Sequence, residues 1–110
     1  MYRYNATLDR IVDGDTVDVY IDLGFDIHIK QRVRLYGINT PETRTRDLEE
    51  KKRGFAAKAY LEEILPEKFV IETVYDKKGK YGRVLGILWN DIDDMNVNEK
   101  MIDEGHAERY

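Results

Sequence analysis

Three short segments of this chain carry polar residues that folding does not require, and each supplies a different part of one reaction. Asp13-Gly14-Asp15-Thr16-Val17 is a tight turn with two carboxylates. Arg34-Leu35-Tyr36-Gly37-Ile38-Asn39-Thr40-Pro41-Glu42-Thr43 ends a strand-like stretch in a Pro-locked loop bearing Asn, Thr and Glu. Asp76-Lys77-Lys78-Gly79-Lys80-Tyr81-Gly82-Arg83 is a basic, Gly-containing loop. Each has a plain explanation when taken alone: a common Asp-Gly turn, a polar strand terminus, a basic hairpin loop. Together they match what metal-assisted hydrolysis of a phosphoester requires. A hard cation takes oxygen donors, which Asp15, Asn39 and nearby backbone carbonyls can provide. Negative charge gathering on the phosphoryl oxygens is stabilised by guanidinium groups, which bind them bidentately. A water nucleophile needs a carboxylate to orient or deprotonate it, and Glu42 stands three residues after Asn39.

The elements that must hold these segments follow from periodicity. Val17, Val19, Ile21 and Leu23 alternate with Thr16, Asp18, Tyr20 and Asp22, a period of two with one apolar face. Gly24 breaks that run. A longer alternation then sets Phe25, Ile27, Ile29, Val33 and Leu35 on one side and Asp26, His28, Lys30, Arg32 and Arg34 on the other. Arg34 therefore faces away from the core side. An earlier strand is read over residues 4–12. After Asp47 the period becomes helical, with Ala57, Tyr60, Leu61 and Ile64 on one stripe and Pro66 stopping the helix. Residues 69–75 and 83–89 read as strands, and 98–104 as a short helix capped by Gly105. The order β-β-β-α-β-β-α predicts a mainly β protein with helices: a small five-stranded barrel of the oligonucleotide/oligosaccharide-binding kind, an OB-fold.

Composition narrows the chemistry. A length of 110 residues suits one domain spanning 1–110, and 42% hydrophobic residues can build its core. With no cysteine there is neither a disulfide framework nor a thiolate metal site, so a metal must use oxygen or the two histidines. His28 and His106 are isolated and provide no triad and no zinc site. The 91–96 stretch lacks the glycine and spaced glutamate of an EF-hand, and 79–83 lacks the strand–helix context of a P-loop. No apolar run approaches the roughly 20 residues that cross a bilayer, and the polar start does not read as a signal peptide. The expectation is a cytoplasmic protein with no membrane association, a trimmed secreted form being the other option. A net charge of −4 does not advertise a nucleic-acid partner. Positive charge is nevertheless clustered at 30–34, 44–46 and 77–83, clusters that usually form solvated faces.

The three segments, in this order and on these elements, resemble the signature of the staphylococcal nuclease family. The resemblance covers about 4–105 and extends to the helical stripe and to Val97-Asn98-Glu99 at the start of the second helix. It implies an SNase-like domain that hydrolyses DNA or RNA with calcium, leaving 3′-phosphate and 5′-hydroxyl ends. Under it, Asp15 is a calcium ligand and Thr40 lends its backbone carbonyl. Glu42 positions or activates the attacking water, while Arg34 and Arg83 bind and polarise the phosphate. Asp13 sits behind the direct ligands, and Lys80 and Tyr81 contact the nucleotide. Tyr110 lies near a family tyrosine that stacks on the nucleotide, offset by about one residue. Asn39 stands where the family usually has a second aspartate ligand; either its amide oxygen coordinates more weakly or it only caps the turn. The family's further C-terminal helix is missing here, which predicts a partly bare barrel wall and a monomer or weak self-association. The other reading is a catalytically weak module that binds nucleic acid without cutting it.

Overall fold

A computed structural model describes residues 2–74 and 84–110. The strands are β1 (Arg3–Asp13), β2 (Thr16–Asp22), β3 (His28–Leu35), β4 (Ile38–Asn39), β5 (Lys68–Val74), β6 (Val84–Asn90), β7 (Met95–Asn96) and β8 (Glu108–Arg109), with helices α1 (Leu48–Ile64) and α2 (Val97–Asp103). Five long strands run in the order β3-β2-β1-β5-β6, and a parallel pairing of β3 with β6 closes them into a barrel. The expected barrel and its helix after the third strand are both present. Tyr75 to Arg83, and with them Lys80, Tyr81 and Arg83 of the sequence reading, lie outside the described residues.

β1 is long enough to pair with two neighbours because it bends. Its register against β2 shifts between Leu8 and Arg10 and again between Ile11 and Asp13, and such extra residues sharpen the local twist. Residues 3–7 of β1 then pair with β5. Inward positions of the strands build the core: Val17, Val19, Val33, Leu35, Ile71 and Leu88 are fully buried. Each such side chain contributes roughly 1.5–3 kcal/mol. Ala57 and Leu61 bring α1 onto this core, and Val97 and Met101 do the same for α2.

The helices begin and end where their caps dictate. The Asp47 carboxylate accepts the amides of Glu49 and Glu50, and the Asn96 side chain accepts that of Glu99. Gly105 leaves α2 at φ 78°, the left-handed conformation expected after a helix. Buried Asn98 ties the barrel together. Its oxygen accepts the Leu88 amide at 3.0 Å, and its nitrogen donates to the Tyr36 and Gly86 carbonyls at 2.9 and 3.0 Å.

Three features depart from the sequence reading. The two-residue strands β4, β7 and β8 were not expected; β4 pairs with β8, and β7 pairs antiparallel beside β6. Phe25 and Ile27 are not on an apolar wall: the chain turns there, and they are 98% and 53% exposed at the tip of the β2–β3 hairpin. Asp18, read on a polar face, is buried beneath Arg10 and Arg32. Among the described residues, no helix is long and apolar enough to cross a membrane.

Candidate active site

The turn from β1 to β2, the end of β3 and the loop leaving β4 meet at one end of the barrel. Gly14 allows this. A Cβ there would stand 2.8 Å from the Ala57 Cβ and 3.1 Å from the Thr40 Cγ2, so only glycine lets the turn sit against both α1 and the loop. The Leu35 amide then donates to the Asp15 carbonyl at 2.8 Å, locking the turn beside the end of β3. Gly54 does the same for the loop. A side chain there would run into the Glu42 and Pro41 carbonyls at 2.6 and 2.8 Å. From the same helix, Glu50 accepts the Glu42 amide at 3.1 Å.

What results is a cleft of about 570 Å³ whose lining includes Asp13, Asp15, Arg34, Asn39, Glu42 and Tyr110. Arg34 is its hub. Its Nη2 donates to Asn39 Oδ1 at 3.3 Å and lies 3.6 Å from Asp15 Oδ2, and the two side chains of that ion pair are only 16% and 13% exposed. Because one guanidinium nitrogen reaches both oxygens, the Asp15 carboxylate and the Asn39 amide must face each other across it. The Thr40 amide donates to Asp15 Oδ2 at 3.3 Å, which brings Thr40 to the same carboxylate. Thr16 donates its hydroxyl to the other Asp15 oxygen at 3.1 Å.

Glu42 is exposed at the cleft and also lines a second hollow, of about 340 Å³, between the loop, Arg53 and His106. Asp13, which the resemblance set behind the direct ligands, lines the cleft as well. Its carboxylate accepts the Thr43 hydroxyl at 2.6 Å, pinning the far end of the loop to β1. Asn39 is not a turn cap in this arrangement, since its oxygen accepts from Arg34 within the cleft.

Asp15 supplies a carboxylate and Asn39 an amide oxygen, the oxygen donors that a hard cation takes, in a cleft with room for water. This donor set is sparse. Among the described residues, no three His, Cys, Asp or Glu side chains gather as a metal cluster. Asp15, Arg34, Asn39 and Glu42 line one cleft, with the Thr40 amide on Asp15, while Arg83, Lys80 and Tyr81 lie outside the described residues.

Sequence reading underweighted three cleft residues. Tyr110 is placed by the β4–β8 ladder and by its amide donating to the Gly37 carbonyl at 2.9 Å; its ring lies 5.1 Å from the Arg34 guanidinium, a cation–π contact. Arg32 and Arg44 also line the cleft. Their signal was visible as the basic clusters at 30–34 and 44–46, but a charge cluster alone does not reveal which way it faces.

Residues 32–110 match the family described as staphylococcal nuclease homologues. The chain is 36% identical over 99 residues to the thermonuclease of Staphylococcus intermedius, covering 89% of this chain and 55% of that protein. It is 32% identical over 110 residues to protein ParB of Escherichia coli, covering 92% and 54%. To endonuclease YhcR of Bacillus subtilis it is 30% identical over 121 residues, covering 98% of this chain and 9% of that protein. The chain thus spans about half the length of the first two relatives and a small part of the third. A match running from within β3 through the last strand, on a barrel closed in this order, makes the chain a member of the staphylococcal nuclease family.

Proposed function

We propose that the protein is a calcium-dependent nuclease that hydrolyses phosphodiester bonds of DNA or RNA to 3′-phosphate products. The observation that carries this reading is the convergence of Asp15 and Asn39 on Arg34 in one open cleft that Glu42 also lines. Asp15, the Asn39 amide oxygen and the Thr40 carbonyl would hold the ion. When bound, calcium supplies positive charge against the phosphoryl oxygens. Arg34 exchanges its present acceptors for the phosphate, whose charge in the transition state exceeds that of the ground state. Glu42, exposed at the cleft, orients the attacking water and takes its proton. Asp13 keeps the loop in place through Thr43. Arg83, Lys80 and Tyr81 are assigned by resemblance alone: Arg83 to the phosphate, Lys80 and Tyr81 to the nucleotide. The nuclease names of relatives such as the thermonuclease and endonuclease YhcR support the same reaction class.

The alternative, a module that binds nucleic acid without cutting it, draws on the sparse donor set and the amide at position 39. One assay separates the two. Single-stranded DNA incubated with the protein should be degraded in calcium and remain intact in chelator. Arg34→Lys should keep the fold and slow turnover by roughly a hundredfold, the scale for losing one transition-state donor. Cleavage that persists in chelator, or an Arg34→Lys rate near wild type, would sink the proposed mechanism.

A further inference from the structure

Arg32 occupies the same outward face of β3 as Arg34, two residues earlier, and both line the cleft. A strand advances about 3.3 Å per residue, so the two side chains leave the backbone about 6.6 Å apart. Unlike most surface arginines, Arg32 is held in place. Its Nε and Nη2 donate to the two Asp18 oxygens at 2.9 and 3.2 Å, and Arg10 Nε donates to the same carboxylate at 3.2 Å. Asp18 is 7% exposed, whereas the Arg32 side chain is 58% exposed. The buried anion fixes one edge of the guanidinium and leaves the rest open to solvent. An arginine ordered in advance loses less rotamer freedom on meeting a ligand. Two arginines sharing one aspartate also leave one net positive charge, facing a cleft that already contains Arg34 and Arg44.

We infer that Arg32 and Arg44 form a second phosphate subsite, which holds a backbone phosphate next to the one at Arg34 on a polynucleotide strand. This rests on the nuclease reading only in placing the reacting phosphate at Arg34. The subsite selects for chains over mononucleotides: a ligand with one phosphate fills the Arg34 position alone, and one with two gains Arg32 and Arg44 as well. Asp18 is a positioning residue here, since it acts through Arg32.

Removing Arg32 alone would leave the buried Asp18 carboxylate half-paired, so the informative variant is Asp18→Asn with Arg32→Gln. It removes one charge of each sign and leaves Arg10 as the net positive charge of the group. Arg44→Gln is the second variant, on an exposed loop position where folding is not at stake. The probes are thymidine 5′-monophosphate and phosphorothioate-linked oligothymidylates of two to six residues, followed by fluorescence anisotropy, with thermal melting as the check on folding. Wild type should bind the two-phosphate probe about tenfold more tightly than the one-phosphate probe, the scale of one charge-assisted hydrogen bond. Both variants should lose that gain, keep one-phosphate affinity, and show a salt slope shallower by about 0.7 for each phosphate no longer neutralised. The subsite is overturned if both variants keep the gain, if both lose affinity equally for the one-phosphate probe, or if wild type gains nothing with length. Failure of the nuclease reading looks different. DNA left intact in calcium, with the length-dependent gain present, discards hydrolysis and keeps the subsite; cleavage without that gain does the reverse.

Discussion

Asn39 offers its oxygen to Arg34 at 3.3 Å, so a carboxylate placed there would face Asp15 across the same guanidinium. Asn39→Asp should therefore tighten calcium binding by about 1–2 kcal/mol, the added attraction being offset by repulsion from Asp15 and Glu42. Arg34 absorbs part of that repulsion, so the metal-free variant should be only slightly less stable than wild type, and saturating calcium should reverse the order. Glu42→Gln is the contrast: calcium affinity nearly intact, most turnover lost. Calorimetric titration of calcium with nucleotide present checks both, and unchanged affinity in Asn39→Asp would confine Asn39 to orienting Arg34. Asp15, Arg34, Asn39 and Glu42 were legible in the sequence because short segments carry their chemistry, whereas Thr40 came from the resemblance. Tyr110 was not legible, since a β-ladder far along the chain sets its position. Arg32 was read only as one charge among several, because the buried aspartate that orients it looked like an ordinary outward residue.

At the scale of elements, strands of seven or more residues and both helices could be read from their periods and caps, within one or two residues at each end except at β3, which begins three residues after its alternation does. The two-residue strands could not, because a period of two needs more residues than they possess. The β2–β3 hairpin exposes a different limit: alternation continues through Phe25 and Ile27, although the backbone reverses there. Gly24, Phe25 and Asp26 all have positive φ, at 85°, 55° and 60°, and the Ile27 amide donates to the Gly24 carbonyl at 2.9 Å. For residues other than glycine, asparagine or aspartate this conformation costs on the order of 1–2 kcal/mol each, which here falls on Phe25. Phe25→Asn with Asp26→Gly should thus stabilise the protein by about 1 kcal/mol, since Phe25 is 98% exposed and loses little burial. Urea unfolding should show a higher midpoint with an unchanged slope. A lower midpoint would mean that Phe25 packs against something the hairpin needs.

The whole molecule carries a net charge of −4, yet Asp18 and Glu99 are among the carboxylates held by arginines from other elements. Hydrogen bonds from Arg32, with Arg10 assisting, hold Asp18 below the usual carboxylate range, and Arg109 does the same for Glu99. A lowered folded-state pKa contributes stability that is present above the unfolded value near 4 and is lost as pH falls through the folded value. Stability should accordingly decline with acid from about pH 4 downward. Asp18→Asn should flatten that decline, even though it weakens the protein at neutral pH by leaving two arginines with one neutral acceptor oxygen in place of a carboxylate. Urea midpoints measured across pH test this, and an unchanged acid slope would remove Asp18 from the account. Glu99, 46% exposed, contributes less because water screens it. The glycine contacts under the cleft bear on how tolerance to substitution is read. Gly54 lets α1 lie directly on the carbonyls of Pro41 and Glu42, and Gly14 lets the β1–β2 turn lie on Ala57. In a saturation scan scored by activity, both positions would resemble catalytic residues: every side chain would fail, including alanine, on a protein that still folds. Intolerance at these two sites measures how closely the backbone packs, against carbonyls at Gly54 and against the Ala57 and Thr40 side chains at Gly14, and nothing at either position needs to touch the substrate.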